Sequence, residues 1–262
     1  MSERMPSEPP SRWQGKLRAA LIHLAGSLVV ALLVAVLVFS IWYPGAYRDL
    51  AGGAALFVIL VGVDVVLGPV LTFVVFDAAK RRPELLRDLG VVLTLQVCAL
   101  GYGIWAMAQA RPTHLVWEMD QFRVVRANDI VPGELSQAPP GLGRTPWTGP
   151  DLVGVSRPPP AEMPEAVFRE MEGQPLAAMP RYWTPFDAAR SSVLRRGRPL
   201  SALVFPDPGD PLRVEQAMAR LAHPQRDELR GVPLVAARRP GVVFVDAAGT
   251  PVLIVALQAP LP

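Results

Sequence analysis

The sequence predicts an α-helical membrane anchor of three transmembrane helices, followed by a loop-rich α+β domain with a small antiparallel sheet. Two observations lead to this fold class. Three long apolar stretches lie within the first 110 of the 262 residues, at 19–42, 54–76 and 89–109. The rest of the chain alternates short patterned segments with proline-rich ones. A helix of about 20 residues spans the roughly 30 Å hydrocarbon core of a bilayer, so each apolar stretch is long enough to cross it.

The first apolar stretch has an alternative interpretation, a cleaved signal peptide, because a basic segment precedes it. The apolar run is too long for a signal core, and the sequence "FSIWYPGAY" that ends it has no small-x-small cleavage pattern. We therefore expect an uncleaved helix at 19–42, preceded by a basic tail at 1–18.

Basic residues near the apolar stretches predict their orientation. Four precede the first stretch and four lie between the second and third: Arg4, Arg12, Lys16, Arg18, Lys80, Arg81, Arg82 and Arg87. The loop between the first and second stretches carries only Arg48. By the positive-inside rule, the N-terminus and the second loop are cytoplasmic, and residues 111–262 lie on the other side of the membrane.

The charge balance of the chain gives no reason to expect a nucleic-acid partner. The sequence pI is about 9.4, but from Arg111 onward 17 arginines accompany 16 acidic residues. The basic excess therefore lies beside the membrane, where topology and anionic lipids account for it.

The segment 111–262 is long enough for one domain. It contains 23 of the 29 prolines, concentrated between 132 and 211, and proline is excluded from helix interiors and central strands. We expect loops there, with helices that begin at Thr184 and at Asp210. β-Branched and aromatic residues predict one hairpin at 114–127 and another at 242–257, with its turn at 247–250.

The sequence contains no arrangement typical of catalysis or metal binding. Its three histidines, His23, His114 and His223, are far apart, and Cys98 is the only cysteine. Phosphate-binding loops, dinucleotide fingerprints, serine-hydrolase elbows and zinc-protease motifs are not found in it. We expect no enzymatic activity, no cofactor and no metal site.

Asp64 is the strongest single signal, because it interrupts the apolar run "FVILVGVDVVLGPVLTF". An isolated aspartate inside a bilayer costs about 2.5–3.5 kcal/mol on insertion scales. Asp64 would lie at the bilayer midplane, with Gln96 and Tyr102 of the third helix each about 4.5 Å along the axis from that depth. Both can donate a hydrogen bond to a carboxyl group, so both are predicted partners.

Asp64, Gly68 and Thr72 follow at i, i+4 and i+8 and predict a stripe of small and polar residues that faces another helix. Thr72 is too far along the helix to reach Asp64 itself. Pro69 removes a backbone hydrogen bond and predicts a kink. Two interpretations of Asp64 stay open: a purely structural hydrogen bond, or a contact for another membrane protein or a proton-linked switch.

The first half of the chain resembles the type IV pilin accessory proteins, the group named TfpX/TfpZ. The matching region covers about residues 21–130, roughly 40% of the chain. The residues that carry it are "IHL" at 22–24, Ser27, "WYPG" at 42–45, "VDVVLGPVLT" at 63–72, Gln96, "ALGYG" at 99–103 and "DQFRVVRAND" at 120–129.

The resemblance implies a multi-pass protein of the bacterial inner membrane with a periplasmic domain, which assists type IV pilus biogenesis by binding or stabilising the major pilin. It implies neither catalysis nor a cofactor. The alternative is an envelope sensor or scaffold whose periplasmic domain binds a ligand. A sensor needs a cytoplasmic output, and the cytoplasmic parts predicted here are a short tail and one short loop.

Overall fold

The computed structural model describes residues 12–131, 133–221 and 228–261. The chain forms two compact units. The first, here called the three-helix unit, comprises Met1–Val36 and Ala55–Ala106. The second, here called the sheet unit, comprises Leu37–Ala54 and Met107–Pro262.

Eight α-helices occur in the described residues. In chain order they are α1 (Arg12–Leu37), α2 (Tyr47–Leu50), α3 (Gly53–Gly62), α4 (Gly68–Val75), α5 (Arg82–Gln109), α6 (Met163–Met171), α7 (Arg190–Arg196) and α8 (Asp210–Arg220). Three continuous helical stretches are long and apolar enough to cross a membrane: Trp13–Trp42, Gly53–Val75 and Arg82–Gln109. They correspond to the three predicted spans, but the first and third begin earlier because their basic flanks are also helical.

The second span is not a uniform α-helix. Helices α3 and α4 are joined by a π-helical turn, Val63–Leu67, which contains Asp64 and directly precedes Gly68 and Pro69. Proline has no backbone N–H and cannot continue a regular hydrogen-bond ladder. π-Turns inside helices frequently mark functional sites. The second span thus has a widened turn around Asp64, next to the position at which Pro69 predicts a kink.

The sheet unit contains an eight-stranded mixed sheet. The strands are β1 (Pro112–Glu118), β2 (Gln121–Arg126), β3 (Asp151–Val155), β4 (Trp183–Pro185), β5 (Arg198–Pro199), β6 (Arg230–Val235), β7 (Gly241–Val245) and β8 (Pro251–Ala256). Their order is β4-β3-β1-β2-β6-β7-β8, with β5 paired to β6. The β1–β3 and β2–β6 pairs are parallel. The prediction of a small antiparallel sheet is therefore wrong in size and in strand direction.

Both predicted hairpins are present. Strands β1 and β2 pair antiparallel across a turn at Met119, which has a φ of 61°. Strands β7 and β8 pair antiparallel, and the Asp246 side chain closes their turn by accepting hydrogen bonds from the backbone N–H groups of Ala248 and Thr250. These hairpins are local in sequence, which is why their pattern alone reveals them.

Both faces of the sheet are covered in its β6–β8 half. On one face, Tyr47 and Leu50 of α2 pack with Val243 and Val245. On the opposite face, the buried residues of α8 pack with those of strands β7 and β8: Val214, Met218, Val242, Phe244 and Val255. The segment between the first two apolar stretches is thus part of the core of the sheet unit.

Of the two helices predicted in the proline-rich part, one differs from the structure at its start and the other does not. Thr184 lies in β4, which pairs with β3, so the regular helix begins only at Arg190. Helix α8 does start at Asp210. The Asp210 carboxylate is fully buried and accepts hydrogen bonds from the backbone N–H groups of Gln258 and Ala259.

Candidate functional site in the three-helix unit

Asp64 and Gln96 form the centre of a polar cluster among the three apolar helices. The Gln96 side-chain Nε2 donates to Asp64 Oδ1 at 3.3 Å and lies 3.4 Å from the Asp64 backbone oxygen. Of the two partners predicted for Asp64, Gln96 is therefore placed beside it.

The backbone carbonyl of Asp64 is available because of the π-turn. In a π-helical turn a carbonyl pairs with the N–H five residues later, and for Asp64 that residue is Pro69, which has none. An unpaired carbonyl is costly in an apolar surrounding. Ser27 of α1 donates its hydroxyl to this oxygen at 3.4 Å, so side chains of two other helices contact the same carbonyl.

Gly68 allows the helices to approach closely at this site. A Cβ atom at position 68 would lie 1.9 Å from Gln96 Nε2 and 3.0 Å from His23 Nε2. A larger side chain would therefore displace the Gln96 amide from Asp64. This close contact gives the small-residue position of the predicted stripe a physical role.

Thr72, one turn further along α4, contacts His23 of α1. Thr72 is buried, and its Oγ1 lies 2.6 Å from His23 Nδ1. As predicted from depth, Thr72 does not reach Asp64. Asp64, Gly68 and Thr72 nevertheless face the same part of the unit, and between them they contact α1 and α5.

A cavity of about 570 Å³ adjoins the cluster. Its wall is mainly apolar, with polar groups from all three apolar helices. The lining residues are Ala19, Ile22, His23, Gly26, Ser27, Val30, Asp64, Thr72, Phe76, Leu89, Leu93, Gln96, Val97 and Leu100. Gln96 Oε1 is buried, and no described residue donates a hydrogen bond to it. The Gln96 Oε1 atom can therefore accept a hydrogen bond from a polar group carried by an apolar partner.

Tyr102 does not belong to this site, and the expectation that it donates to Asp64 is wrong. Its side chain is 69% exposed, and its ring lies 5.6 Å from the ring of Trp105 between centroids. Depth along the axis places Tyr102 near Asp64, but direction around the helix does not. Six residues separate it from Gln96, and at about 100° per residue this turns Tyr102 roughly 120° away from the face that Gln96 occupies.

His23 is the member of the cluster that the sequence interpretation missed. As a possible metal ligand it has no suitably spaced companion in the sequence. The available signal was its spacing from Ser27, because residues at i and i+4 share one helix face. Ser27 contacts the Asp64 carbonyl, so the face of α1 that carries Ser27 toward Asp64 also carries His23.

The polar cluster combines a carboxylate, an amide, an imidazole and two hydroxyl groups, most of which are paired with one another. Among the described residues there is no group of three or more His, Cys, Asp or Glu side chains that could hold a metal ion.

Replacement of Asp64 tests what the carboxylate contributes. Asp64→Asn retains an oxygen that can accept from Gln96, so we expect thermal unfolding of the full chain in detergent to change little. Asp64→Leu removes that acceptor, at an expected cost of about 0.6–2 kcal/mol. If Asn destabilises the chain as much as Leu does, the negative charge or its proton is required, and a purely structural hydrogen bond is contradicted.

Comparison with known proteins reveals the family of this chain. A family model described as Fimbrial assembly protein FimB matches residues 11–52. "Fimbrial assembly protein, serogroup I" of Dichelobacter nodosus is 32% identical over 83% of this chain and 85% of its own length. The serogroup E1 protein of the same organism is 34% identical over 69% of this chain and 70% of its own length.

A third relative from that organism, "Fimbrial assembly protein, serogroups C1 and C2", is 39% identical over 45% of this chain and 89% of its own length. No solved structure shows significant similarity to the chain. The alignment with the serogroup I relative covers 218 residues of this chain. On this similarity, the chain belongs to the family of fimbrial assembly proteins.

Proposed function

We propose that this chain is a non-catalytic accessory protein of type IV pilus biogenesis in the bacterial inner membrane, where it binds the major pilin. The observation that carries the proposal is the 32% identity with a fimbrial assembly protein over 83% of the chain. Membership of that family, together with three helices able to cross a membrane, supports a membrane-bound role in building fimbriae.

The proposed orientation places the N-terminus in the cytoplasm and the sheet unit in the periplasm. Its support is the distribution of basic residues, which cluster before the first span and between the second and third. Near-neutral charge from Arg111 onward is compatible with a domain that binds protein and not nucleic acid.

The three-helix unit offers a place for an apolar helix of the pilin. A membrane-embedded subunit presents an apolar surface, and the cavity of about 570 Å³ is mainly apolar with polar groups at one side. Association of helices in lipid depends on close packing and on hydrogen bonds. Gly68 permits close packing, and the buried acceptor oxygen of Gln96 offers a hydrogen bond.

The sheet unit is proposed to recognise the part of the pilin that lies outside the membrane. It carries long loops on a rigid sheet, an arrangement that commonly presents binding residues. Recognition of a particular pilin is assigned to this unit, whereas the three-helix unit serves pilins in general.

Exchange of residues 131–262 with the equivalent segment of the serogroup I relative tests this proposal. The chimaera is expressed in cells that lack both parent proteins. We expect it to restore pili made from the pilin that the serogroup I relative serves, and to lose the preference for the pilin that the present chain serves. Pilus display, measured by electron microscopy and by surface pilin, is the readout. The reciprocal chimaera is the control, and a preference that follows residues 1–130 would contradict the assignment of recognition to residues 131–262.

A further inference from the structure

Strand β8 forms one end of the sheet, and in the described part of the chain no strand pairs with its outer edge. A free edge presents a row of unpaired backbone donors and acceptors. The opposite end of the sheet is β4, which has only three residues and ends in Pro185. β8 is twice as long and follows the complete length of β7.

The register of β7 and β8 shows which backbone groups point outward. The Leu257 N–H donates to the Pro240 oxygen, which makes these opposite residues a hydrogen-bonded pair. In antiparallel pairing such pairs alternate with pairs whose groups point away from each other. Ile254 faces Val243, and Ala256 faces Gly241. Both pairs are therefore non-hydrogen-bonded pairs. Ile254 and Ala256 each direct one backbone N–H and one C=O away from β7, toward the outer edge.

The two faces of β8 are already covered, which leaves its edge as the accessible part. Val255 is buried with Val214 and Met218 of α8. Ile254 and Ala256 pack on the opposite core, which contains Leu50 of α2. A partner can therefore reach β8 most simply as one more strand, whose side chains would extend both cores.

The edge also lacks charged side chains, and its proline, Pro251, stands at the very start of β8. Exposed edge strands are commonly blocked by charged side chains, especially lysine. Residues 247–261 contain no charged side chain at all. An uncharged occupant with alternating apolar side chains therefore fits this edge, whereas a charged strand would place its charges against an apolar surface.

We propose that β8 binds an extended, uncharged segment of the pilin by strand addition, through the outward backbone groups of Ile254 and Ala256. The proposal rests on the proposed function and names the surface that performs the recognition. Main-chain hydrogen bonds supply affinity in this mode, and the alternate side chains of the added strand supply specificity.

The test is co-purification of pilin with the full chain, carrying an affinity tag, from detergent-solubilised membranes, with pilin measured by a specific antibody. Ile254→Pro removes one outward-pointing backbone N–H and leaves every hydrogen bond between β8 and β7 in place. Proline is tolerated on an edge strand where its missing N–H would face away from the sheet. We expect pilin recovery to fall about fivefold, as for the loss of one hydrogen bond of ordinary strength. Ala256→Pro is a second variant of the same design, at the end of the strand.

Val243→Ala is the matched control, because it weakens the neighbouring strand inside the core and leaves the edge groups in place. Amide hydrogen exchange of β7 verifies that each variant is folded. Unchanged recovery with a folded Ile254→Pro or Ala256→Pro variant overturns the edge site while pilin binding stands. Failure of the unaltered chain to recover pilin overturns the proposed function itself. If the variants instead abolish pairing between two differently tagged copies of this chain, the occupant is a second copy and the proposal is wrong.

Discussion

Glu134→Gln is expected to lower the free energy of unfolding of the sheet unit by about 3 kcal/mol, the lower end of the 3–5 kcal/mol range for breaking a buried ion pair. Glu134 is 5% exposed. It forms ion pairs with Arg169 of α6 and with Arg181, the latter at 3.4 Å. The neutral amide would leave both guanidinium groups without this counter-charge. The lower end applies because both arginines are about a quarter exposed and can be partly rehydrated.

Glu165→Gln provides a matched control for this prediction. Glu165 pairs with the same Arg169 at 3.2 Å, but it is 52% exposed, and exposed ion pairs contribute about 0–1 kcal/mol. Urea unfolding of the full chain in detergent, followed by hydrogen exchange in α6, measures both variants. Equal effects of the two substitutions would show that burial of Glu134 is not what makes its ion pairs important.

Acidification from pH 6.5 to pH 5 is expected to destabilise the sheet unit through His114, by about 1.5 kcal/mol. His114 is buried in β1, and its ring lies 4.2 Å from the ring of Trp183 between centroids. Burial is the main cause that lowers the pKa of His114 from 6.5 to about 4, and it outweighs the opposing attraction of Asp151.

The sign follows from proton binding in the two states. Between pH 6.5 and pH 4 the unfolded chain binds a proton at His114 that the folded chain does not accept, so stability falls as the pH falls. The stabilising contribution of the neutral ring is complete above the pKa that His114 has in the unfolded chain, near 6.5. Below the folded pKa, near 4, both states are protonated and the loss levels off.

His114→Phe should flatten this dependence, because phenylalanine fills the ring position beside Trp183 and does not titrate. The measurement is amide hydrogen exchange of β1 and β2 in the full chain at several pH values between 5 and 7. Loss of the hydrogen bond to Thr113 shifts the stability of the variant at every pH, so the slope is the decisive quantity. A variant slope equal to that of the unaltered chain would assign the pH dependence to other groups.

The features that sequence predicted correctly are those set by local chemistry. Three spans follow from long apolar runs, whose backbone groups must be paired within the helix when it lies in lipid. The β1–β2 and β7–β8 hairpins follow from alternation and turn residues within about fifteen residues of chain. The Asp64–Gln96 pairing followed from depth, since an aspartate in an apolar helix requires a polar neighbour at its own level.

Only the tertiary structure decided the features that depend on residues far apart in sequence. The parallel pairs β1–β3 and β2–β6 join strands that are far apart in sequence and have other strands between them, so no local pattern predicts them. The direction of Tyr102 and the approach of His23 to Thr72 depend on how each helix is rotated about its axis, and nearly uniform hydrophobicity leaves that rotation unmarked. Local sequence patterns determined the three apolar helices and the two hairpins. Packing determined which polar groups meet, because contact requires the right direction as well as the right depth.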